Sequence, residues 1–379
     1  MTAQTAALPE EMVRRSAFVS SDVYRRPGYG ANHPLAIPRV GLVMELAVLL
    51  GWLAPDGYEK SPRASERDLA RFHDPAYIAA VRRVDADGRA DPALRKRYGL
   101  GTRENPVFSG LYERVTTACG GSIRAAELAL GDTVAFNPAG GTHHGLRDRA
   151  HGFCYFNDPV MAILTLLENG VERVFYLDLD AHHGDGVELA FALDARVFTV
   201  SIHETGRWPF TGRVDDRAGG AARNLPVPRG LNDSELDYLM VNAVLPLADA
   251  YAPEAVVVTC GADGLMGDPL SAMALSNGAL WRAVLQAVAL TRHAVVLGGG
   301  GYNPWTVARC WTGLWGALND RAMPARLPPA AEARLRALDC DLVDEEDYDP
   351  DWFTTLRDRP YDGVVRDEVQ ALPKRVLAP

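Results

Sequence analysis

The chain has 379 residues, 47% of them hydrophobic and 23% charged, which is the composition of a soluble globular protein and excludes a disordered or collagen-like one. Its 39 Lys and Arg against 49 Asp and Glu leave a formal charge of −10, so the chain lacks the basic footprint of a direct nucleic-acid binder. Five cysteines, Cys119, Cys154, Cys260, Cys310 and Cys340, are odd in number and contain no C-x-x-C pair, which fits a reduced, cytoplasmic location.

The N-terminal MTAQTAALPEEMVRRSAF carries acids and lacks a continuous apolar segment, so it does not read as a secretory signal. No uninterrupted apolar stretch approaches the length needed to span a membrane. No repeat, low-complexity tract or Gly/Ser linker divides the chain. One domain is therefore expected over 1–379, with a core at 16–320 and a C-terminal extension at 321–379 packed on it.

In chain order, residues 86–106, rich in charge, Gly and Pro, read as a surface excursion. Apolar runs then predict buried strands at TVAF 133–136, RVFYL 173–177, RVFTVSI 196–202, AVVVTC 255–260 and AVVLG 294–298. Helical patterns lie between them at 159–170, 234–251 and 276–293. This alternation predicts an α/β fold with a large, mostly parallel sheet flanked by helices, whose sites lie beyond the carboxyl ends of its strands. The tail at 321–379, rich in Pro, Arg and Asp, is given no chemistry.

The residues just after each strand are accordingly the suspects. After TVAF comes Asn137-Pro138-Ala139-Gly140-Gly141-Thr142-His143-His144-Gly145, a tandem histidine pair in a glycine-flanked loop. One imidazole could serve as general base while its neighbour stays cationic, with Asp178 and Asp185 as candidate carboxylates behind them. After RVFYL comes Asp178-Leu179-Asp180-Ala181-His182-His183-Gly184-Asp185, and extended backbone would put Asp178, Asp180 and His182 on one face. Carboxylates and imidazole gathered there repel and resist desolvation unless compensated, and a divalent metal is the economical compensation. Asp263, in CGADG after the next strand, could complete a three-ligand site with Asp180 and His182, leaving the open position that catalytic zinc requires.

The glycine run Gly298-Gly299-Gly300-Gly301 could bring Tyr302 close as an oxyanion donor. A dinucleotide loop is excluded because Asn303 stands where the third glycine of G-x-G-x-x-G would fall. The bland alternatives are that Asp263 is a helix cap or turn former and that Cys154 and Cys260 are packed thiols.

Together these segments resemble the histone deacetylase superfamily, which includes acetoin-utilisation deacetylases and acetylpolyamine amidohydrolases. The resemblance runs in order through GYGANHPLAIPRV (28–40), FHDPAYIAAVRRV (72–84), ENPVFSGLYE (104–113), GGTHHGLRDRAHGFCYFND, DLDAHHGDGVE, TCGADGLMGDPL and GGGGYNPWTVARCW, and covers most of 16–320. It implies a single arginase/deacetylase-like domain and a zinc ion, with iron(II) as the alternative, held by Asp180, His182 and Asp263. It further implies His144 as general base, His143 as its electrostatic partner, Asp178 behind His143, Asp185 behind His144 and Tyr302 as oxyanion donor. Gly152, Phe153 and Leu270 match tunnel-lining positions, and a structural potassium is expected near the strand carrying Asp178.

Three departures bear on substrate choice: Trp208 stands where eukaryotic members usually have Phe, Phe210 replaces the usual Gly, and Glu104 falls near a rim Asp. The implied substrates are acylated lysine in a peptide or protein, or else an acetylated polyamine. A silent acyl-amine binding protein is the reading from another class. Neither nucleic acid nor membrane is an expected partner, and the sequence leaves the oligomeric state open.

Overall fold

The structure is a computed structural model that describes residues 14–30, 32–54 and 57–378. Most of the N-terminal segment read above, residues 1–13, and Ala31 of the 28–40 motif lie outside the described residues.

The described residues form eight strands: β1 (Ser16–Ser20), β2 (Glu59–Lys60), β3 (Val134–Asn137), β4 (Val174–Asp178), β5 (Val197–Glu204), β6 (Ala222–Val227), β7 (Ala255–Thr259) and β8 (His293–Leu297). They form one sheet in the order β2-β1-β3-β8-β7-β4-β5-β6, with every neighbouring pair parallel. Both faces are covered, which explains why the central strands read as unbroken apolar runs. Along β4, Phe175 and Leu177 enter one apolar cluster while Val174 and Tyr176 enter the other, on the opposite side of the sheet.

Three strands did not stand out in the sequence. β2, Glu-Lys, and β6, with Arg223, Asn224 and Pro226, lie at the two edges, where charge and proline are tolerated and an apolar run is not required. β1 is a five-residue segment, SAFVS, beside β2.

The expected helix at 234–251 is interrupted. Asp233–Leu239 and Leu245–Tyr251 are α-helical, and a π-helical turn, Met240–Val244, joins them. Pro246 lacks the N–H that an unbroken α-helix needs there, and the wide turn takes up the mismatch. The helix expected at 276–293 ends at Val288. Beyond it the Thr291 hydroxyl donates to the His293 carbonyl at 2.9 Å, a local bond that competes with further helix, and His293 begins β8.

The excursion at 86–106 contains a helix, Pro92–Tyr98, capped by Asp91 and followed by buried Leu100. Residues 321–378 pack on the sheet-bearing body: the Trp352 ring stacks on Trp305 at 5.8 Å, buried Arg309 pairs with Asp358 at 2.7 Å, and Arg366 grips Glu235 through two contacts of 2.6 Å.

The register sets up the site. Asn137 lies beside Leu297, Leu297 beside Thr259, and Thr259 beside Asp178, so the chain leaves β3, β8, β7 and β4 at one level.

Candidate active site

The Asp178-Leu179-Asp180-Ala181-His182 segment departs from strand alternation, because β4 ends at Asp178. The carboxylates themselves then wind the chain. Asp178 Oδ1 accepts from the Asp180 N–H at 3.1 Å, and Asp180 Oδ1 accepts from the His182 N–H at 2.9 Å. From the β7 loop Asp263 reaches the same place: its Oδ1 accepts from the Ala181 N–H at 3.0 Å, and its Oδ2 lies 2.9 Å from His182 Nδ1. From the β8 loop the Gly300 N–H donates to Asp180 Oδ2 at 2.6 Å. Backbone passes so close that a Cβ on Gly300 would stand 2.1 Å from Asp263 Oδ2, so no larger residue fits there.

One ligand atom each from Asp180, His182 and Asp263 lies within 4.8 Å of the others, and all three residues are buried. Burial alone would lower the His182 pKa, but bonding to Asp180 and Asp263 and their charge outweigh it and pull the pKa up to about 10. The two carboxylates favour positive charge between them, and this donor set could hold one metal ion. Asp178 stands outside it.

The tandem histidines leave β3 on a clamped loop. Asp158 accepts from the N–H groups of Gly141 and Thr142 at 3.1 and 2.7 Å, and Asn157 Nδ2 donates to the carbonyls of His143 and Gly145 at 3.1 and 2.9 Å. Buried His73 accepts the Asn157 N–H at 3.0 Å. Sequence reasoning missed these clamps. Asn157 gave only the signal of an N-cap before a proline-led helix, which it also is.

The loop presents the two rings to different carboxylates. His143 Nδ1 lies 2.7 Å from Asp178 Oδ2, which also accepts the Tyr176 hydroxyl at 2.6 Å, and His144 Nδ1 lies 2.6 Å from Asp185 Oδ1. Their charge states diverge. Burial opposes ionisation of His143, but the Asp178 and Asp180 charges prevail and raise its pKa to about 9. Burial and then the charge of His143 push His144 down to about 3. One imidazole is cationic and its neighbour neutral.

Tyr302 follows two glycines with positive φ, Gly299 at 151° and Gly301 at 133°, and its own N–H donates to Asp268 Oδ2 at 2.7 Å. Burial, then the nearby carboxylates of Asp263 and Asp180, raise its pKa well above 10, so it is a phenol able to donate. Asn303 caps the helix Pro304–Ala317 by accepting from the N–H groups of Trp305 and Thr306.

His144, His182 and Tyr302 face a cavity of about 690 Å³. Glu104, Gly152, Phe153, Trp208 and Leu270 line it too, so the structure brings every expected substrate-contacting residue to this cavity. Gly152 has φ 54° and a Cβ there would lie 2.3 Å from Trp208, while Glu104 Oε1 accepts the Gly152 N–H at 2.6 Å. Trp208 stands edge-on to His144 at 4.6 Å, and Phe210 is 72% exposed at the opening. Glu204, Arg207 and Arg229 also line the cavity and were not anticipated. Arg207 is occupied by Glu204 at 2.7 and 2.8 Å and by the Leu270 carbonyl at 2.6 Å. All five cysteines are buried and unpaired.

The family described as histone deacetylase domain matches residues 33–318. Histone deacetylase 1 of Oryza sativa subsp. japonica is 38% identical over 79% of this chain and 59% of its own length. Type-1 histone deacetylase 1 of Dictyostelium discoideum is 37% identical over 79% of this chain and 62% of its own, and histone deacetylase 8 of Xenopus tropicalis 35% identical over 76% and 80%. The chain thus spans about 60% of the length of the rice and Dictyostelium relatives. Among solved structures, an HDAC homolog from Aquifex aeolicus superimposes with a TM-score of 0.92 at 34% identity, covering 96% of this chain and 100% of that one. An HDAC homolog complexed with SAHA gives 0.91 at 34% identity over the same shares.

Proposed function

Because this chain belongs to the histone deacetylase family, we propose that it hydrolyses an N-acyl amide, the acetyl-lysine side chain of a peptide or protein, with a zinc ion held by Asp180, His182 and Asp263. The observation that carries the proposal is the convergence on one cavity of His182, from a buried Asp-His-Asp cluster able to hold a metal ion, with a neutral imidazole and a phenol. The donor set suits the ion: two carboxylates and one imidazole are ligands zinc accepts, and three protein ligands leave a coordination position open. Zinc, or iron(II) in its place, supplies when bound the Lewis acidity that polarises an acyl carbonyl and acidifies water.

The protein's own groups divide the remaining work. His144 Nε2 takes the proton of the attacking water, since Nδ1 is committed to Asp185. The same nitrogen then delivers that proton to the departing amine. His143, held cationic by Asp178, keeps His144 neutral between turnovers. The Tyr302 hydroxyl donates to the acyl oxygen as negative charge develops there. Phe153, Trp208 and Leu270 exclude water along the aliphatic stem, and Glu104 supplies a carboxylate at the rim.

Glu104 in the cavity wall also favours a second substrate, an acetylated polyamine, whose free ammonium groups a carboxylate would attract. Steady-state kinetics on acetyl-lysine peptides, longer acyl-lysine peptides and acetylpolyamines separate the readings. We expect the highest kcat/KM on an acyl-lysine peptide. Preference for acetylpolyamines would replace that substrate, and no turnover by metal-loaded protein would leave a silent binding protein.

A further inference from the structure

A third imidazole stands on the same carboxylate as the base. Asp185 presents Oδ1 to His144 at 2.6 Å and takes its neighbour Gly186 N–H on that same oxygen at 2.9 Å. Its other oxygen, Oδ2, faces His151 Nδ1 at 3.4 Å. That nitrogen is buried and has no hydrogen-bond partner among the described residues, so its 3.4 Å approach to Asp185 is an ion-pair distance and not a formed hydrogen bond; the His151 side chain as a whole is 28% exposed.

The position of the ring is fixed from two sides. His151 and Cys154 exchange both backbone hydrogen bonds at 2.9 Å, closing the short loop that carries Gly152 and Phe153 into the cavity wall. The ring itself packs on Trp208, with centroids 4.6 Å apart, and Trp208 in turn abuts His144 at 4.6 Å. His151 is thus held between the tunnel wall and the carboxylate that orients the base.

We propose that His151 is a positioning residue for the reaction: its Nδ1 holds the second oxygen of Asp185, so that Asp185 offers its first oxygen to His144 in one orientation. The inference rests on His144 being the base. A carboxylate gripped at one oxygen alone is free to swing about its χ2 torsion, which is broad for Asp, and the ring it orients swings with it. A donor on the far oxygen removes that freedom, as outer partners of catalytic groups commonly do.

The electrostatics agree with the geometry. Interaction with Asp185 raises the His151 pKa above its ordinary value, burial opposes it, the Glu104 charge assists and Arg149 counters; His144 is the other titratable ring facing this carboxylate. Burial disfavours ionised Asp185, yet its contacts with His144 and His151 hold its carboxyl below the usual carboxylate range.

The test compares His151→Phe, which keeps a ring against Trp208 but offers no donor, with His151→Gln, whose amide can reach Oδ2. Full-length, metal-loaded protein is assayed on an acetyl-lysine peptide, and the His151 resonances are titrated by NMR in the parent and in Asp185→Asn. The expected result is a kcat lowered roughly tenfold in His151→Phe with KM within about twofold, most of the loss restored in His151→Gln, and a His151 pKa that falls when Asp185 becomes Asn. An unchanged kcat in His151→Phe, a glutamine variant no better than phenylalanine, or a His151 pKa indifferent to Asp185→Asn would overturn the proposal. Asp185→Asn with full turnover would instead overturn the assignment of His144, while the His151 titration would still report whether the two groups are coupled.

Discussion

The floor of the cavity and its mouth are built on opposite terms. The floor is formed by His144 and His182, and packed directly beneath it His143, Asp178, Asp180 and Asp263 are buried, follow strands that end at one level, and bind one another through backbone N–H groups as much as through side chains. At the mouth Trp208, Phe210, Arg229 and Leu270 sit on loops beyond β5, β6 and β7, and Phe210 and Arg229 are exposed. A floor of mutually dependent charges tolerates little change, because removing one partner leaves another buried and uncompensated. A mouth of loosely coupled side chains can be altered one residue at a time, which is how a fixed chemistry is fitted to different substrates.

That contrast orders the expected effects. Asp263→Ala removes one of the three grouped ligand atoms and should abolish both metal retention and turnover; metal analysis alongside the assay checks it, and a variant that keeps its metal and its rate would break the distinction at its strongest point. Tyr302→Phe should keep its fold and metal while losing about 2.7–4 kcal/mol of transition-state stabilisation, a fall in kcat of roughly 10²–10³ with KM little changed.

The scaffold of the floor should show in acid stability. Burial lowers the His73 pKa to about 4, and its Nε2 accepts the Asn157 N–H, so its protonation breaks the bond behind the tandem-histidine loop. The unfolded chain, with an ordinary value near ~6.5, binds the proton first. Between these values stability should therefore fall with falling pH, by up to about 3 kcal/mol in all. His73→Gln should flatten that slope in thermal unfolding measured from pH 7 to 4; an equally steep slope would remove His73 as its cause. The smallest effect belongs to the mouth. Phe210→Gly should leave stability within about 0.5 kcal/mol and shift the preference among acyl-amine substrates, read as ratios of kcat/KM.

The same contrast governs how much the sequence disclosed. The central strands β3, β4, β5, β7 and β8 were legible because burial on both faces demands apolar runs, and the edges β2 and β6 were not, because edge strands escape that demand. Asp180 and His182 stood out because so many titratable groups in one nine-residue segment are costly without a purpose, whereas Asp263, a lone carboxylate between small residues, was assigned through the family resemblance. How they meet was not legible: β4 stops at Asp178, and the grouping comes from carboxylates capping the backbone of the loop. Asn157, Asp158 and His73 fall within segments that carry the resemblance, but their clamping role was not legible, since their partners lie on backbone brought near only by the fold. Of the mouth residues, Gly152, Phe153 and Leu270 were found by family resemblance, and Glu204 and Arg229 were not found at all.

The most direct measurement is the metal content and acetyl-lysine peptide turnover of one preparation, before chelation, after chelation and after zinc is restored. One ion per chain is expected, dependent on Asp180, His182 and Asp263, with turnover that disappears on chelation and returns with zinc. Undiminished turnover by metal-free protein would contradict it.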